Sequence, residues 1–230
     1  MIVVGSTLCA FSMNIPQTWS YWLHNIADIQ KSHPEVVVFC AIQIDARGLA
    51  PFKPLVDFLN SIGGKYWSYS LDDERTAVTV SNRYRHICAG RNLITDFAVT
   101  HRASHILFLD ADACPPVDVI PKLLEVNFPI VGGYLKTYNM RGPLMPEYTF
   151  PVMDCEGSAG CFLVEEKVFK IVRWRWEYGR TDDPCYIQDA TRLGYKIRIR
   201  EDVKVDHFPE FISPLESRFG TNFDFSVVRS

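Results

Sequence analysis

Two apolar runs, each ending in aspartate, constrain the fold of this chain more than any other feature. Residues 35–44 contain the near-continuous run VVVFCAIQI, which leads into Asp45, and residues 105–109 read HILFL, which leads into Asp110. Such runs are typical of strands that are buried on both faces of a parallel sheet. We therefore expect both runs to lie inside an α/β sandwich with helices on either side.

Helical and strand patterns alternate along the rest of the chain, as expected for a largely parallel sheet. Helices are predicted at residues 16–31, 51–62, 91–101, 166–172 and 184–193. Strands are predicted at residues 2–4, 35–44, 66–70, 105–109, 130–137 and 160–164, and two exposed strands at residues 196–200 and 202–206. In such a sheet, ligands bind at the carboxyl ends of the strands.

The composition is that of a globular protein. The chain has 230 residues, of which 47% are hydrophobic and 22% are charged, which excludes a disordered or coiled-coil chain. No linker or repeat divides it, so we expect a single domain over residues 1–230. The net charge of −3 implies no general affinity for polyanions.

The cysteines and the N-terminal region bear on the cellular compartment. The seven cysteines form no Cys-x-x-Cys pair, which indicates reduced thiols rather than a disulfide framework or a zinc site. No apolar run approaches the roughly 18 residues that span a bilayer, and residues 1–30 contain no Lys or Arg. We therefore expect a soluble, cytoplasmic protein; the sequence leaves its oligomeric state open.

The strongest chemical signal is the Asp-x-Asp sequence formed by Asp110 and Asp112. Residues i and i+2 of an extended backbone point to the same side, here into the expected ligand crevice. Two carboxylates are suitable ligands for Mg²⁺ or Mn²⁺. The alternative is that these residues only form a turn or cap a helix.

Three segments resemble family 2 glycosyltransferases with the GT-A fold. GRNLITDFAVTHRASHILFLDADACPP is similar to the central segment of that family, and TDDPCYIQDATRLGYKIRIREDVKVDHF to its acidic pair, helix and closing histidine. Between them, EGSAGCFLVEEKVF resembles the Gly-rich segment on the acceptor side. The resemblance covers roughly residues 36–208, and it implies a Rossmann-like α/β/α sandwich with a mostly parallel central sheet and an irregular acceptor-side half.

The resemblance also implies roles for individual residues. The implied donor-binding residues are Ser6, Thr7, Asp45, Arg91 and Asp110. The implied ligands of a Mn²⁺ or Mg²⁺ ion are Asp110, Asp112 and His207, and Asp183 is the implied catalytic base. On the acceptor side the implied residues are Gly157, Ser158 and Asp182. Four of these residues have a plainer alternative: Asp183 caps a helix, Asp45 forms a turn, Arg91 begins a helix, and His207 is a surface or packed residue.

Trp174 and Trp176 precede the acidic pair and are further candidates for acceptor binding. Their rings could stack on a sugar or a nucleobase, and core packing is an equal alternative. Basic residues accompany them, which is compatible with a polyanionic acceptor such as DNA that carries a hydroxylated base. Acidic residues are interspersed among them, and this favours an ordinary solvated face.

Together these features predict a metal-dependent, inverting glycosyltransferase of the hexosyltransferase type. Its donor would be a nucleotide-diphosphate sugar, with a UDP-sugar favoured, and its acceptor a hydroxyl of a glycan, a small molecule or a DNA base. Residues 1–112 would bind the donor, residues 113–208 the acceptor, and residues 209–230 would form a tail or lid. Two alternatives stay open: a nucleotidyltransferase, although no basic residue precedes Lys31 to hold a triphosphate, and a non-catalytic module that binds a nucleotide or sugar.

Overall fold

The computed structural model describes residues 1–9, 16–44, 48–71, 80–137, 160–177 and 182–207. Its strands are β1 Ile2–Cys9, β2 Val36–Gln43, β3 Lys65–Tyr69, β4 His105–Leu109, β5 Ala113–Cys114, β6 Ile130–Thr137, β7 Cys161–Glu165 and β8 Ile197–His207. Its helices are α1 Pro16–Ser32, α2 Lys53–Ser61, α3 Val80–Thr100, α4 Val119–Glu125, α5 Glu166–Phe169 and α6 Asp182–Arg192, and a 3₁₀ turn, Ala50–Phe52, precedes α2.

All eight strands join in one sheet, in the order β3-β2-β1-β4-β7-β6-β8-β5. Strands β1 to β4 pair in parallel, and β6 pairs in parallel with β8. Strand β7 is antiparallel to both β4 and β6, and β5 is antiparallel to β8. All strands except β5 and β7 therefore run in one direction, and the expectation of a mostly parallel sheet is confirmed.

Helices cover both faces of the sheet, which confirms the α/β/α sandwich. On one face, a buried cluster joins the sheet to α1, α2 and α4 through side chains such as Trp22, Leu55 and Ile120. On the other face, a second cluster joins it to α3, α5 and α6 through Phe97, Phe169 and others. Along β1, Val4 belongs to the first cluster and Val3 to the second, as alternation in a strand buried on both faces requires.

Three local predictions need correction. The segments expected to be two exposed strands form one strand, β8, between β6 and β5, with Val203 and Val205 fully buried. Helix α3 begins at Val80, so Arg91 lies within the helix rather than at its start. The helix predicted over residues 166–172 ends after one turn at Phe169. In addition, the short strand β5 was not expected.

The misread β8 has a physical explanation. The sequence EDVKVD alternates charged and apolar residues, which suggests one solvated face. In the structure, Gly133 of β6 lies opposite Arg200 of β8, whereas the next residue of β6, Tyr134, lies opposite Lys204. The pairing therefore skips residues of β8, and the strand is irregular there. The Arg200 side chain pairs with Glu125 of α4 at 2.8 Å. Charged side chains of β8 such as Arg200 are therefore paired beside the sheet, while Val203 and Val205 pack in the core.

No helix in these described ranges is both long and apolar enough to cross a bilayer. The predicted tail or lid, residues 209–230, lies outside the described residues.

Glycine at position 5 allows α3 to pack closely on β1. A Cβ atom added there would lie 2.2 Å from Cγ2 of Ile94, which is far inside van der Waals contact. We predict that Gly5→Ala destabilises the fold by about 1–3 kcal/mol, the usual cost of overpacking a core. Urea unfolding of the variant measures this loss.

The double variant Gly5→Ala with Ile94→Ala separates this contact from other effects. If overpacking is the cause, the combined loss in unfolding free energy is smaller than the sum of the two single losses, because removing Cγ2 relieves the clash. Strictly additive losses would contradict this explanation.

Candidate functional site

The strand directions bring the predicted site residues to one edge of the sheet. Strands β1, β4 and β8 end at this edge, which we call the carboxyl rim, and they carry Thr7, Asp110 and His207 to it. The chain also enters β7 there, since Leu109 pairs with Cys161. Three predicted residues, Asp45, Gly157 and Ser158, lie outside the described residues.

The backbone of the Asp-x-Asp sequence forms a tight turn rather than an extended strand. The Asp110 N–H donates to the carbonyl of Gly160 at 3.0 Å, and the Ala113 N–H donates to the carbonyl of Asp110 at 3.0 Å. The expectation that Asp110 and Asp112 share one side of a strand is therefore corrected. The turn nevertheless holds both residues at the rim, because it joins β4 to β5.

Arg91 lies at the centre of the site. Its side chain is only 4% exposed, and Nη2 donates to Asp110 Oδ1 at 2.7 Å. The other terminal nitrogen, Nη1, donates to both Asp182 and Asp183. One guanidinium therefore joins the turn after β4 to the acidic pair in the first turn of α6.

The carboxylates around Arg91 outnumber the positive charge. Three of them face one guanidinium, so the group is negative overall when all are ionised. Burial raises the pKa of Asp110, and the neighbouring Asp112 raises it further against the opposing effect of Arg91. A bound cation would relieve this surplus of negative charge.

The backbone register places two of the predicted metal ligands side by side. Ala113 pairs with His207 across β5 and β8, so Asp112 directly precedes a residue opposite His207. Asp112 is close enough for its charge to raise the pKa of Asp110, whose side chain is 36% exposed. Carboxylate oxygens with uncompensated charge fit a hard divalent cation.

The side chains that the structure describes do not already form a metal-binding cluster of three or more His, Cys, Asp or Glu residues. The side chain of His207 is not among them. The assignment of Asp110, Asp112 and His207 as ligands therefore stays a prediction that rests on the rim placement and on the charge.

Ser6 and Thr7 differ in what their hydroxyl groups do. The Ser6 hydroxyl is buried and donates to the carbonyl of Leu109 at 2.5 Å, so it ties the end of β1 to the end of β4. The Thr7 hydroxyl is buried and has no hydrogen-bond partner in the described part of the chain. Of the two hydroxyl groups, that of Thr7 is therefore the one without a partner among the described residues, and its oxygen is shielded from solvent in this structure.

Gly90, next to Arg91, lets α3 approach Thr7. A Cβ atom at this position would lie 2.4 Å from Cγ2 of Thr7 and 2.8 Å from the hydroxyl oxygen of Tyr69. That hydroxyl group donates to the carbonyl of His86 at 2.7 Å, which fixes β3 against α3. The close approach keeps Arg91 at the rim.

Trp174 belongs to the core of the site rather than to an open surface. It is 2% exposed, with the Arg91 guanidinium 4.3 Å from its ring centroid and Tyr186 stacked on it at 4.0 Å. Both contacts occupy its ring faces, so an acceptor cannot stack there in this arrangement and the core-packing alternative describes it. Trp176 is only partly buried, and its role in acceptor binding stays a prediction.

Asn92 contributes to the site although the sequence analysis gave it no role. Its amide nitrogen donates to the Trp174 carbonyl at 2.9 Å, and its Oδ1 accepts from the Trp174 N–H at 3.0 Å. The side chain thus binds a peptide unit as a neighbouring strand would. Asn92 belongs to the Gly-Arg-Asn sequence that begins the segment similar to family 2 glycosyltransferases, and this motif is the signal that could have identified it.

Comparisons with known proteins show the same fold at low sequence identity. No protein-family model matches the sequence, and a search of curated proteins finds no match. Among solved structures, the chain is similar to the mannosyltransferase PcManGT from Pyrobaculum calidifontis in complex with GDP-Man and Mn²⁺, with a TM-score of 0.58 and 13% identity. That match covers 90% of this chain and 56% of the other, so the chain spans little more than half of that protein's length.

Two further structures belong to different enzyme classes. One is the GalNAc-T7 structure with UDP, GalNAc and Mn²⁺, at a TM-score of 0.53 and 12% identity over 89% of this chain and 43% of that one. The other is a nucleoside-diphosphate-sugar pyrophosphorylase from Vibrio cholerae RC9, at a TM-score of 0.53 and 12% identity over 89% of this chain and 94% of that one. The chain therefore has the GT-A-like fold of nucleotide-sugar glycosyltransferases, an architecture that a pyrophosphorylase shares.

The burial of Arg91 generates a stability prediction. Replacing it by methionine leaves the buried Asp182 carboxylate without its cation, which typically costs about 3–5 kcal/mol. The matched control is Arg173→Met, since Arg173 binds Asp96 of α3 at 2.7 Å while both side chains are about half exposed. We expect the control to lose no more than about 1 kcal/mol.

Urea unfolding followed by circular dichroism measures both variants. Equal losses for the two would mean that the Arg91 ion pairs behave as surface pairs, and would contradict the structure of this site.

Proposed function

We propose that this chain is a metal-dependent glycosyltransferase that moves a hexose from a nucleotide-diphosphate sugar, preferably a UDP-sugar, to a hydroxyl acceptor with inversion. The observation that carries the proposal is that one buried arginine binds both Asp110, a proposed metal ligand, and Asp183, the proposed base. That the proposed metal ligand and the proposed base share one guanidinium at the rim supports the proposal, because transfer needs the two groups within reach of each other.

Asp110, Asp112 and His207 would hold the Mn²⁺ or Mg²⁺ ion. When bound, the ion supplies Lewis-acid stabilisation of the departing nucleoside diphosphate, which lowers the activation free energy by several kcal/mol. The surplus of carboxylates around Arg91 supports a cation at this place. On the donor side, Thr7 carries a hydroxyl group near the same rim. Asp45, which comes two residues after the end of β2 in the sequence, stays a proposed donor-binding residue.

Asp183 would act as the general base. Its side chain is 15% exposed, so an acceptor can reach it, whereas Asp182 is buried behind it. As the acceptor oxygen attacks the anomeric carbon, the bond between that carbon and the diphosphate oxygen breaks, and the hydroxyl proton passes to Asp183. Arg91 keeps Asp183 oriented during this step. A base on the acceptor side is the arrangement expected for inversion.

The charges of the acceptor-side half favour a glycan or a small molecule over DNA. In the described part of this region, Arg173 pairs with Asp96 and Arg175 with Asp189 and Glu177, and Lys167 and Lys170 pair with glutamates. Paired cations attract a polyanion weakly, which supports the solvated-face alternative. The acceptor roles of Gly157, Ser158, Trp176 and Asp182, and the division of the chain into donor half, acceptor half and tail, remain parts of the proposal.

A nucleotidyltransferase is the second candidate, because the fold is shared with a nucleoside-diphosphate-sugar pyrophosphorylase. The absence of any Lys or Arg before Lys31 speaks against it, since a triphosphate would lack cationic partners after β1. A screen of nucleotide sugars with Mn²⁺ separates the candidates. A glycosyltransferase releases a nucleoside diphosphate, whereas a pyrophosphorylase consumes or releases pyrophosphate.

Two variants test the assigned roles. Asp183→Asn should lower the transfer rate by about 10²–10⁴-fold and leave donor binding intact, because the amide oxygen can still accept a hydrogen bond from Arg91 but cannot take the hydroxyl proton. Asp112→Asn should instead weaken binding of Mn²⁺ with a nucleoside diphosphate. Asp96→Asn, which alters an exposed carboxylate of α3, is the matched control and should change neither.

Isothermal titration measures binding, and release of the nucleoside diphosphate measures turnover. Glycan, small-molecule and hydroxymethylated DNA acceptors are supplied in turn. Full activity of Asp183→Asn in these assays would refute the assignment of the base. Under the binding-module alternative, neither the wild-type chain nor any variant turns over a donor.

A further inference from the structure

We propose that Arg91 is a positioning residue, which acts through Asp110, Asp182 and Asp183 and does not touch the donor. This inference rests on the proposed function, and it changes the role that the sequence resemblance implies for Arg91. The evidence is that both terminal nitrogens of its side chain already bind carboxylates of the protein.

The surroundings of the guanidinium leave little room for a ligand. Nη2 binds Asp110, and Nη1 binds Asp182 and Asp183. The ring of Trp174 lies 4.3 Å from the guanidinium carbon, and only 4% of the side chain is exposed. A nucleotide base or phosphate would have to displace one of these carboxylates to reach Arg91.

The three carboxylates come from two separate parts of the fold. Asp110 lies in the turn after β4, whereas Asp182 and Asp183 begin α6 on the acceptor side. Arg91 lies in α3 and is the residue that binds all three. Beside it, Asn92 holds the Trp174 backbone, so two consecutive residues of α3 dock the acceptor-side segment and α6.

This arrangement sets the separation between the proposed cation site and the proposed base. Transfer requires the acceptor oxygen, held by Asp183, to meet an anomeric carbon whose diphosphate is held on the Asp110 side. Displacements of about 1 Å at such a site can cost on the order of 100-fold in rate. A residue that fixes both carboxylates therefore controls the rate without contacting either substrate.

The fork of arginine is needed for this role. Its two terminal nitrogens lie in a fixed plane and serve carboxylates in two directions, whereas the ammonium of lysine is a single point charge. Arg91→Lys therefore keeps the charge and loses the geometry. Arg173→Lys is the matched control, because Arg173 also joins the acceptor-side segment to α3 but contacts only Asp96.

Steady-state kinetics and titration with Mn²⁺ and nucleoside diphosphate test the proposal. We expect Arg91→Lys to lower kcat by about 10–100-fold while the Kd for the nucleoside diphosphate changes less than about threefold. Arg173→Lys should change neither. The proposal would be overturned by the opposite result for Arg91→Lys. In that case the Kd for the nucleoside diphosphate rises about tenfold or more while kcat at saturating donor is unchanged, which would show that Arg91 contacts the donor directly.

A second measurement does not depend on activity. Crystal structures of the wild-type chain and of Arg91→Lys, or of Arg91→Gln if the lysine variant does not fold, report the positions of the three carboxylates. The proposal expects Asp110 or Asp183 to leave its wild-type position, and unchanged positions would overturn it. If the wild-type chain turns over no nucleotide sugar, only the proposed function is refuted. The crystal structures still decide whether Arg91 holds the carboxylates in place.

Discussion

The ion pairs of one buried guanidinium hold this site together. Arg91 binds Asp110 and also the adjacent residues Asp182 and Asp183, which lie much later in the chain, and the ring of Trp174 covers one face of the guanidinium. A charge in this position is tolerated only because it is paired, and each carboxylate depends on it in return. The close packing of α3 on β1, which Gly5 and Gly90 permit, brings Arg91 to this place.

The same interaction adds a side-chain link to the backbone pairing at the rim. The reversed strand β7 separates the parallel strands β1 to β4 from β6 and β8, and its hydrogen bonds with β4 join these two groups of strands. Arg91, in α3, joins the turn after β4 to α6, the helix that precedes β8 along the chain. The rim thus becomes one site with an excess of negative charge, which is suited to a cation and to the diphosphate that a cation would bind.

The sequence predicts the central architecture well because burial on both faces leaves a clear pattern. The run before Asp45 and the run before Asp110 are apolar at almost every position, and both form parallel strands where expected. Strand β8 was misread because its charged residues are paired by neighbours such as Glu125, which no pattern within the strand reveals.

The structure brings together residues to which the sequence analysis gave roles, since Asp110, Asp182 and Asp183 all bind Arg91. Arg91 was itself expected at the donor, but not as the common partner of these carboxylates, because an ion pair between α3 and α6 depends on tertiary packing rather than on spacing along the chain. The environment of Trp174 also depends on tertiary packing. The sequence leaves stacking on a ligand and core packing equally open for this residue, and in the structure it is packed in the core.

The reversal of β7 has a consequence for how proteins of this architecture can diversify. The chain leaves the sheet at Thr137 and returns to it at Gly160, and both points lie on the carboxyl rim. None of the strand pairings among the described residues uses the interval between these two anchor points. Insertions or deletions in that interval can therefore be accepted at one edge of the sheet without a change in the order of the described strands.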